Sequence, residues 1–219
     1  MATFHSVLVT GANRGIGLQF VVELVDKTKH LIATARDVEK ATELKKLAAK
    51  HPNLHVLQLE VTDYKRHDSL VDEIANIVGE KGLTLSIQNA GMNIPENFEE
   101  SNPESYAKVL DVNAIAPLFL TRQLLPLLRK SAASGERTFA VFLGSCLGSV
   151  EMNSQFTLTD FNAYRMSKSA LHQGVRTMAN YYKDEQIEFV LFHPGHVQTG
   201  ECQKCIASKR GVSIKKRLN

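Results

Sequence analysis

A chain of 219 residues that is 43% hydrophobic and 22% charged, with 13 Gly, 6 Pro and no Trp, has ordinary globular composition. It is too apolar for a disordered chain and has too few cysteines for a disulfide scaffold. At this length one domain buries about 70% of its unfolded surface, so no metal or cross-link is required for a core. The formal charge of +3 is unevenly placed: six of the 26 basic residues lie between Lys204 and Arg217 with no acid among them, which leaves the first 203 residues at −3. That tail reads as a solvated charge run on a mildly acidic body, so nucleic acid is not an expected partner. No apolar run approaches the roughly 18 residues that span a bilayer, and the start lacks the basic region of a signal peptide. Membrane partners are therefore not expected. Three cysteines, Cys146, Cys202 and Cys205, are an odd number and suit a reducing, cytoplasmic setting.

In chain order, short β-branched and apolar runs predict strands over 6–10, 30–35, 54–59, 83–88, 138–144 and 187–193. Helical periodicity fills the gaps over 16–27, 38–50, 64–78, 103–130 and 163–183. Asp37 is placed to cap the second helix, and Asn102 followed by Pro103 to cap the fourth. This alternation predicts a three-layer, doubly wound α/β fold of Rossmann type with about six parallel strands, because right-handed crossovers put helices on both faces.

The first strand runs into Thr10-Gly11-Ala12-Asn13-Arg14-Gly15-Ile16-Gly17 at the opening of the first helix. Glycines there permit a sharp turn and close approach of a pyrophosphate to free backbone N–H groups. The second strand ends about 20 residues on, where a dinucleotide's ribose is read. An acidic side chain would bind a ribose 2′-hydroxyl; Arg36 instead suits a 2′-phosphate, with Arg14 as a second cation. NADP(H) is thus the favoured cofactor. The alternative is a merely solvated Arg36 with Asp37 on the ribose. Further along, Tyr164 and Lys168 stand four apart on one helix face. A neighbouring ammonium favours the phenolate and draws a phenol of pKa about 10 toward neutrality, which makes Tyr164 a candidate general acid for a carbonyl receiving hydride.

The set Thr10-Gly11-x-x-x-Gly15-x-Gly17, Asn89-Ala90-Gly91, Asn113, Ser145, Tyr164-x-x-x-Lys168 and Pro194-Gly195 resembles the short-chain dehydrogenase/reductase superfamily over residues 6 to 199. Ala33-Thr34-Ala35-Arg36-Asp37 and the segment His193 to Thr199 are similar to its NADPH-dependent carbonyl reductases of the sniffer and C-factor type. The resemblance implies that Ser145 binds the substrate oxygen and Tyr164 is the acid/base. It implies that Lys168 holds the nicotinamide ribose and that Asn113 holds a water feeding protons to Lys168. Gly11, Asn13, Arg14, Gly15, Ile16 and Gly17 would cradle the phosphates, and Glu60 and Val61 would flank the adenine. Asn89, Ala90 and Gly91 would line its ribose, while Pro194, Gly195, Val197 and Thr199 would grip the carboxamide.

Some positions depart from that pattern. Gln88 replaces an Asn, Glu60 an Asp and His196 an aromatic residue. The 19-residue gap from Ser145 to Tyr164 predicts a loop over 151–160 beside the substrate. Residues 200–219 carry no family resemblance and read as a basic tail after a catalytic domain 1–199, with the usual final helix and strand missing and homodimer contacts in doubt. His193, His196, Cys202 and Cys205 have the donors for zinc, but a metal is not expected, because the histidines sit at a strand end and in the nicotinamide loop. The expected function is NADPH-dependent reduction of an aldehyde, ketone or quinone. Its rival is an inactive NADP-binding sensor or scaffold.

Overall fold

Six apolar segments pair side by side as parallel strands in the computed structural model, which describes residues 4–155, 160–195 and 197. They are β1 (Phe4–Val9), β2 (Thr28–Ala35), β3 (Leu54–Gln58), β4 (Leu85–Gln88), β5 (Thr138–Leu143) and β6 (Ile187–Phe192). Their order is β3-β2-β1-β4-β5-β6, so the winding reverses between β1 and β4. The helices are α1 (Gly15–Leu24), α2 (Thr42–Ala48), α3 (Tyr64–Val78), α4 (Pro103–Leu110), α5 (Ala116–Ala133) and α6 (Asn162–Tyr181). All six predicted strands and the doubly wound class are present; the proposed tail lies outside the described residues.

Alternation along each strand divides the core between the two faces. Val7, Val9, Leu31 and Ala33 pack with Val21 of α1 and Leu44 of α2. Leu8 and Ile32, pointing the other way, join Leu70 and Ile74 of α3, Leu120 and Leu124 of α5, and Leu171 and Val175 of α6. Burial on both faces is what an all-parallel sheet requires and why its strands read as nearly continuous apolar runs.

Two predicted helices differ from the structure. The helix expected from residue 38 begins at Thr42, because Asp37 does not cap it. Its carboxylate instead accepts the Lys40 N–H at 3.1 Å and pairs with Lys40 Nζ at 2.7 Å, closing a local turn before α2. The single helix expected over 103–130 is interrupted by a π-turn at Asp111–Ile115. Proline at 117 supplies the reason: it has no N–H to deliver to the Asn113 carbonyl, and the ladder widens so that the Ala116 N–H reaches the Asp111 carbonyl. Asn102 caps α4 as expected, accepting the Ser105 N–H at 2.9 Å.

Across β1, β2 and β3 the rings of His5, His30 and His55 form a ladder with centroids 5.3 and 6.2 Å apart. Burial holds His30 and His55 below the usual imidazole range, and for His30 the neighbouring His5, Lys29 and His55 add to it. The folded chain therefore binds protons less readily than the unfolded chain. Stability present above pH about 6.5 is lost as pH falls through that range. Denaturant midpoints are expected to drop between neutral pH and pH 5, and His30→Val to flatten that slope; an unchanged slope would assign it to other groups.

Candidate active site

The predicted site residues that the structure describes lie in the segments after the strands, in the π-turn after α4 and on α6, and the sheet has its switch of winding between β1 and β4, where ligands bind in open α/β sheets. At the end of β1 the chain turns through Gly11, with φ +63°, where a Cβ would lie 2.9 Å from Ala90 Cα. A Cβ on Gly17 would lie 2.4 Å from the Gly11 carbonyl oxygen and 2.5 Å from Asn89 Nδ2, so only glycine fits. Arg14 occupies the N-cap of α1 in extended conformation, no side chain caps that helix, and its first turn holds no acid. The positive end of its dipole is thus not offset by a carboxylate of the first turn. Asn13 and Ile16 belong to the same turn, and Ile16 packs on the core of the α1 face.

Asn89, expected to line a ribose, has its side-chain amide bound to the loop. Its Nδ2 donates to the carbonyls of Thr10 at 2.9 Å and Gly11 at 3.0 Å. Thr10 Oγ1 accepts the backbone N–H groups of Asn89 and Ala90, both at 3.0 Å. The glycine turn is therefore fastened to the end of β4. At the ends of β2 and β3, an exposed Arg36 pairs loosely with the half-buried Glu60 at 3.8 Å. Such a pair is worth about 0–1 kcal/mol, so an anion can draw Arg36 away. Val61 is a core residue whose carbonyl accepts from His67 Nε2 at 2.9 Å.

On α6, Tyr164 is half-buried and Lys168 is 5% exposed. Lys168 Nζ lies 5.5 Å from the Tyr164 ring centre and donates to the Leu143 carbonyl at 2.6 Å. Burial alone lowers the ammonium to about 8. Ser145 follows β5. Its Oγ accepts the Leu147 N–H at 3.2 Å, its carbonyl accepts the Gly148 N–H at 3.0 Å, and its N–H donates to His172 Nε2 at 3.3 Å.

Asn113 sits in the π-turn, 1% exposed, with its amide fully engaged. Oδ1 accepts the Met92 N–H at 2.8 Å, while Nδ2 donates to the Met92 carbonyl at 2.8 Å and Ser167 Oγ at 3.0 Å. Gly91 lies close beside it, where a Cβ would come 3.3 Å from Asn113 Oδ1. Ser167 Oγ in turn donates to the Tyr164 carbonyl at 2.7 Å. The side chain of Asn113 thus ties the segment after β4 to α6. Pro194, Gly195 and Val197 follow β6, with Gly195 at φ +73° and Val197 exposed. Thr199, His196, Cys202 and Cys205 lie outside the described residues. Among the described residues no group of three or more His, Cys, Asp or Glu side chains is arranged to hold a metal ion, and no helix is long and apolar enough to cross a membrane. Sequence reasoning named Thr10 in the glycine motif without a role of its own and missed Ser167 and His172; for His172 the signal was its place four residues past Lys168.

The crevice, the glycine turn and the Tyr164/Lys168 face together define a dinucleotide-dependent oxidoreductase, and the chain belongs to the short chain dehydrogenase family, whose profile matches residues 5–210. Among solved structures it is similar to Sniffer of Caenorhabditis elegans (42% identity, TM-score 0.83, covering 89% of this chain and 86% of that one). It is also similar to the NADPH-bound carbonyl reductase from chicken fatty liver (36%, TM-score 0.86, 90% and 81%). An oxidoreductase of Schizosaccharomyces pombe is 30% identical over 204 residues, covering 91% of this chain and 76% of its own.

Removing the Asn89 amide leaves two loop carbonyls without their donor. Asn89→Ala is expected to lower the unfolding free energy by about 1–3 kcal/mol in denaturant titrations and to speed amide exchange in the glycine turn.

Proposed function

We propose that this chain is an NADPH-dependent carbonyl reductase acting on an aldehyde, ketone or quinone. The observation that carries the reading is the buried Lys168 ammonium against the Tyr164 ring, on the helix that faces the anchored Ser145. The glycine turn supports it, since Gly11 and Gly17 pack directly on Ala90, Asn89 and the turn itself where no side chain would fit, so the turn ends at α1 with its N-terminal N–H groups accessible to a pyrophosphate. Gly11 to Gly17 hold the pyrophosphate, Arg36 the 2′-phosphate, Glu60, Val61, Ala90 and Gly91 the adenosine side, and Pro194, Gly195, Val197 and Thr199 the carboxamide. NADPH, when bound, supplies the hydride.

The remaining chemistry belongs to the chain's own residues. Ser145 Oγ accepts from the Leu147 N–H, which leaves its own hydrogen able to donate to the substrate oxygen. That donor stabilises the negative charge developing on the oxygen as the carbon is reduced. Tyr164 gives the oxygen its proton, leaving the alcohol, and Lys168 stabilises the phenolate left behind. Lys168 also binds the nicotinamide ribose. Asn113 is a positioning residue: through Met92 and Ser167 it sets the first turn of α6 relative to the end of β4. All these residues precede residue 200, which keeps catalysis within a 1–199 domain.

Lys168 is protonated below pH about 8, so the reductive rate is expected to fall on the alkaline side of that value. Tyr164→Phe is expected to abolish NADPH oxidation with a dicarbonyl or quinone while NADPH still quenches or enhances fluorescence on binding. Normal turnover in that variant would overturn the assignment of Tyr164. Arg36→Ala is expected to weaken NADPH about 10- to 100-fold and to leave NADH nearly unchanged, as loss of a charge-assisted contact to phosphate requires. Equal weakening of both would remove the 2′-phosphate from Arg36.

A further inference from the structure

His172 continues the face that carries Tyr164 and Lys168, one helical turn further along α6. Its ring is packed into the turn that bears Ser145. A Cβ on Gly144 would come 2.9 Å from His172 Nε2, and one on Gly148 would come 2.8 Å from Cε1. The two glycines therefore leave the space the imidazole fills. Within that turn Nε2 accepts the Ser145 N–H at 3.3 Å. An accepting Nε2 has no hydrogen, so the ring is neutral with its proton on Nδ1. The contact fixes the backbone of Ser145 from one side, while the Gly148 N–H on the Ser145 carbonyl at 3.0 Å fixes it from the other.

We infer that His172 is a positioning residue for carbonyl reduction: its neutral imidazole holds the Ser145 backbone so that the Ser145 hydroxyl is aimed at the substrate oxygen. The inference rests on the reductase reading above. Protonation would replace the acceptor by a donor facing another donor, and would set a cation near Lys168. The titratable groups that act on the ring are Lys168 on its own helix and His193 beyond β6. Burial, then Lys168, then His193 hold the imidazole below its usual range, in keeping with the neutral form.

The test combines a loss, a rescue and a double variant, with NADPH fluorescence titration as the folding control. His172→Leu is expected to lower kcat for a dicarbonyl about 10- to 100-fold, the scale of a misplaced reacting group, with the NADPH Kd held. His172→Gln, whose amide oxygen reaches the place of Nε2, is expected to recover most of that loss. In a Ser145→Ala background His172→Leu is expected to cost less than about twofold, because two groups acting as one unit are not additive. The Ser145 amide resonance is expected to move with the His172 titration in the unaltered chain, a readout that needs neither turnover nor a folded Leu variant. Full cost in the Ser145→Ala background, no rescue by Gln, or a Ser145 amide indifferent to His172 would each overturn the inference alone. A chain that binds NADPH and reduces no carbonyl would overturn the reductase reading and the inference with it.

Discussion

The joint between β1 and β4 is the constraint on which the site depends. The register between the two strands runs to Val9 and Ile87. Thr10 and Asn89 hold them together with four bonds of 2.9 to 3.0 Å, each side chain satisfying the other segment's backbone. A crevice at a point where the winding reverses would otherwise expose unpaired N–H and C=O groups, which are costly when buried. With the joint made, the glycine turn keeps one shape, and the chain after β4 leaves at a defined place. There Met92 brackets the amide of Asn113. The same line of bonds continues through Ser167 to the backbone of Tyr164, so the loop of the first strand and the first turn of α6 share one framework.

Around that framework the electrostatics follow from burial. Lys168 keeps a single carbonyl partner, Leu143, while its surroundings exclude water, and its affinity for a proton falls accordingly. A cation held with so little hydration interacts strongly with any negative charge formed beside it, which a solvated surface lysine would not. His172, one turn on, is half-buried beside that cation, and burial and the cation both lower its affinity for a proton. One helix face thus presents a cation and a neutral acceptor in succession, each state set by its environment.

The six strands were legible because a sheet covered on both faces needs apolar residues at nearly every position, and that requirement is written locally. The glycine turn was legible because Gly11 and Gly17 meet steric demands that no other residue meets. The helix starting at 42 was misjudged from its acid: Asp37 had a nearer partner in Lys40, and local turn bonds compete with capping. The π-turn escaped the helical periodicity, though Pro117 marked the missing N–H. Asn89 and Asn113 were identified as site residues, yet their amides serve the chain itself. An amide's partner is decided by what the fold brings within 3 Å, and sequence spacing carries no record of it.

The sequence by itself determined the parallel α/β architecture, the phosphate-type turn and the pairing of Tyr164 with Lys168, because each depends on steric fit or helical period over a few residues. Only the tertiary structure decided that Asn89 locks the turn, that Asn113 bridges the segment after β4 to α6, and that His172 supports Ser145. Those contacts join residues 21 to 79 positions apart. They exist because strand order and helix packing converge on one end of the sheet, where buried polar groups take the nearest complementary partner.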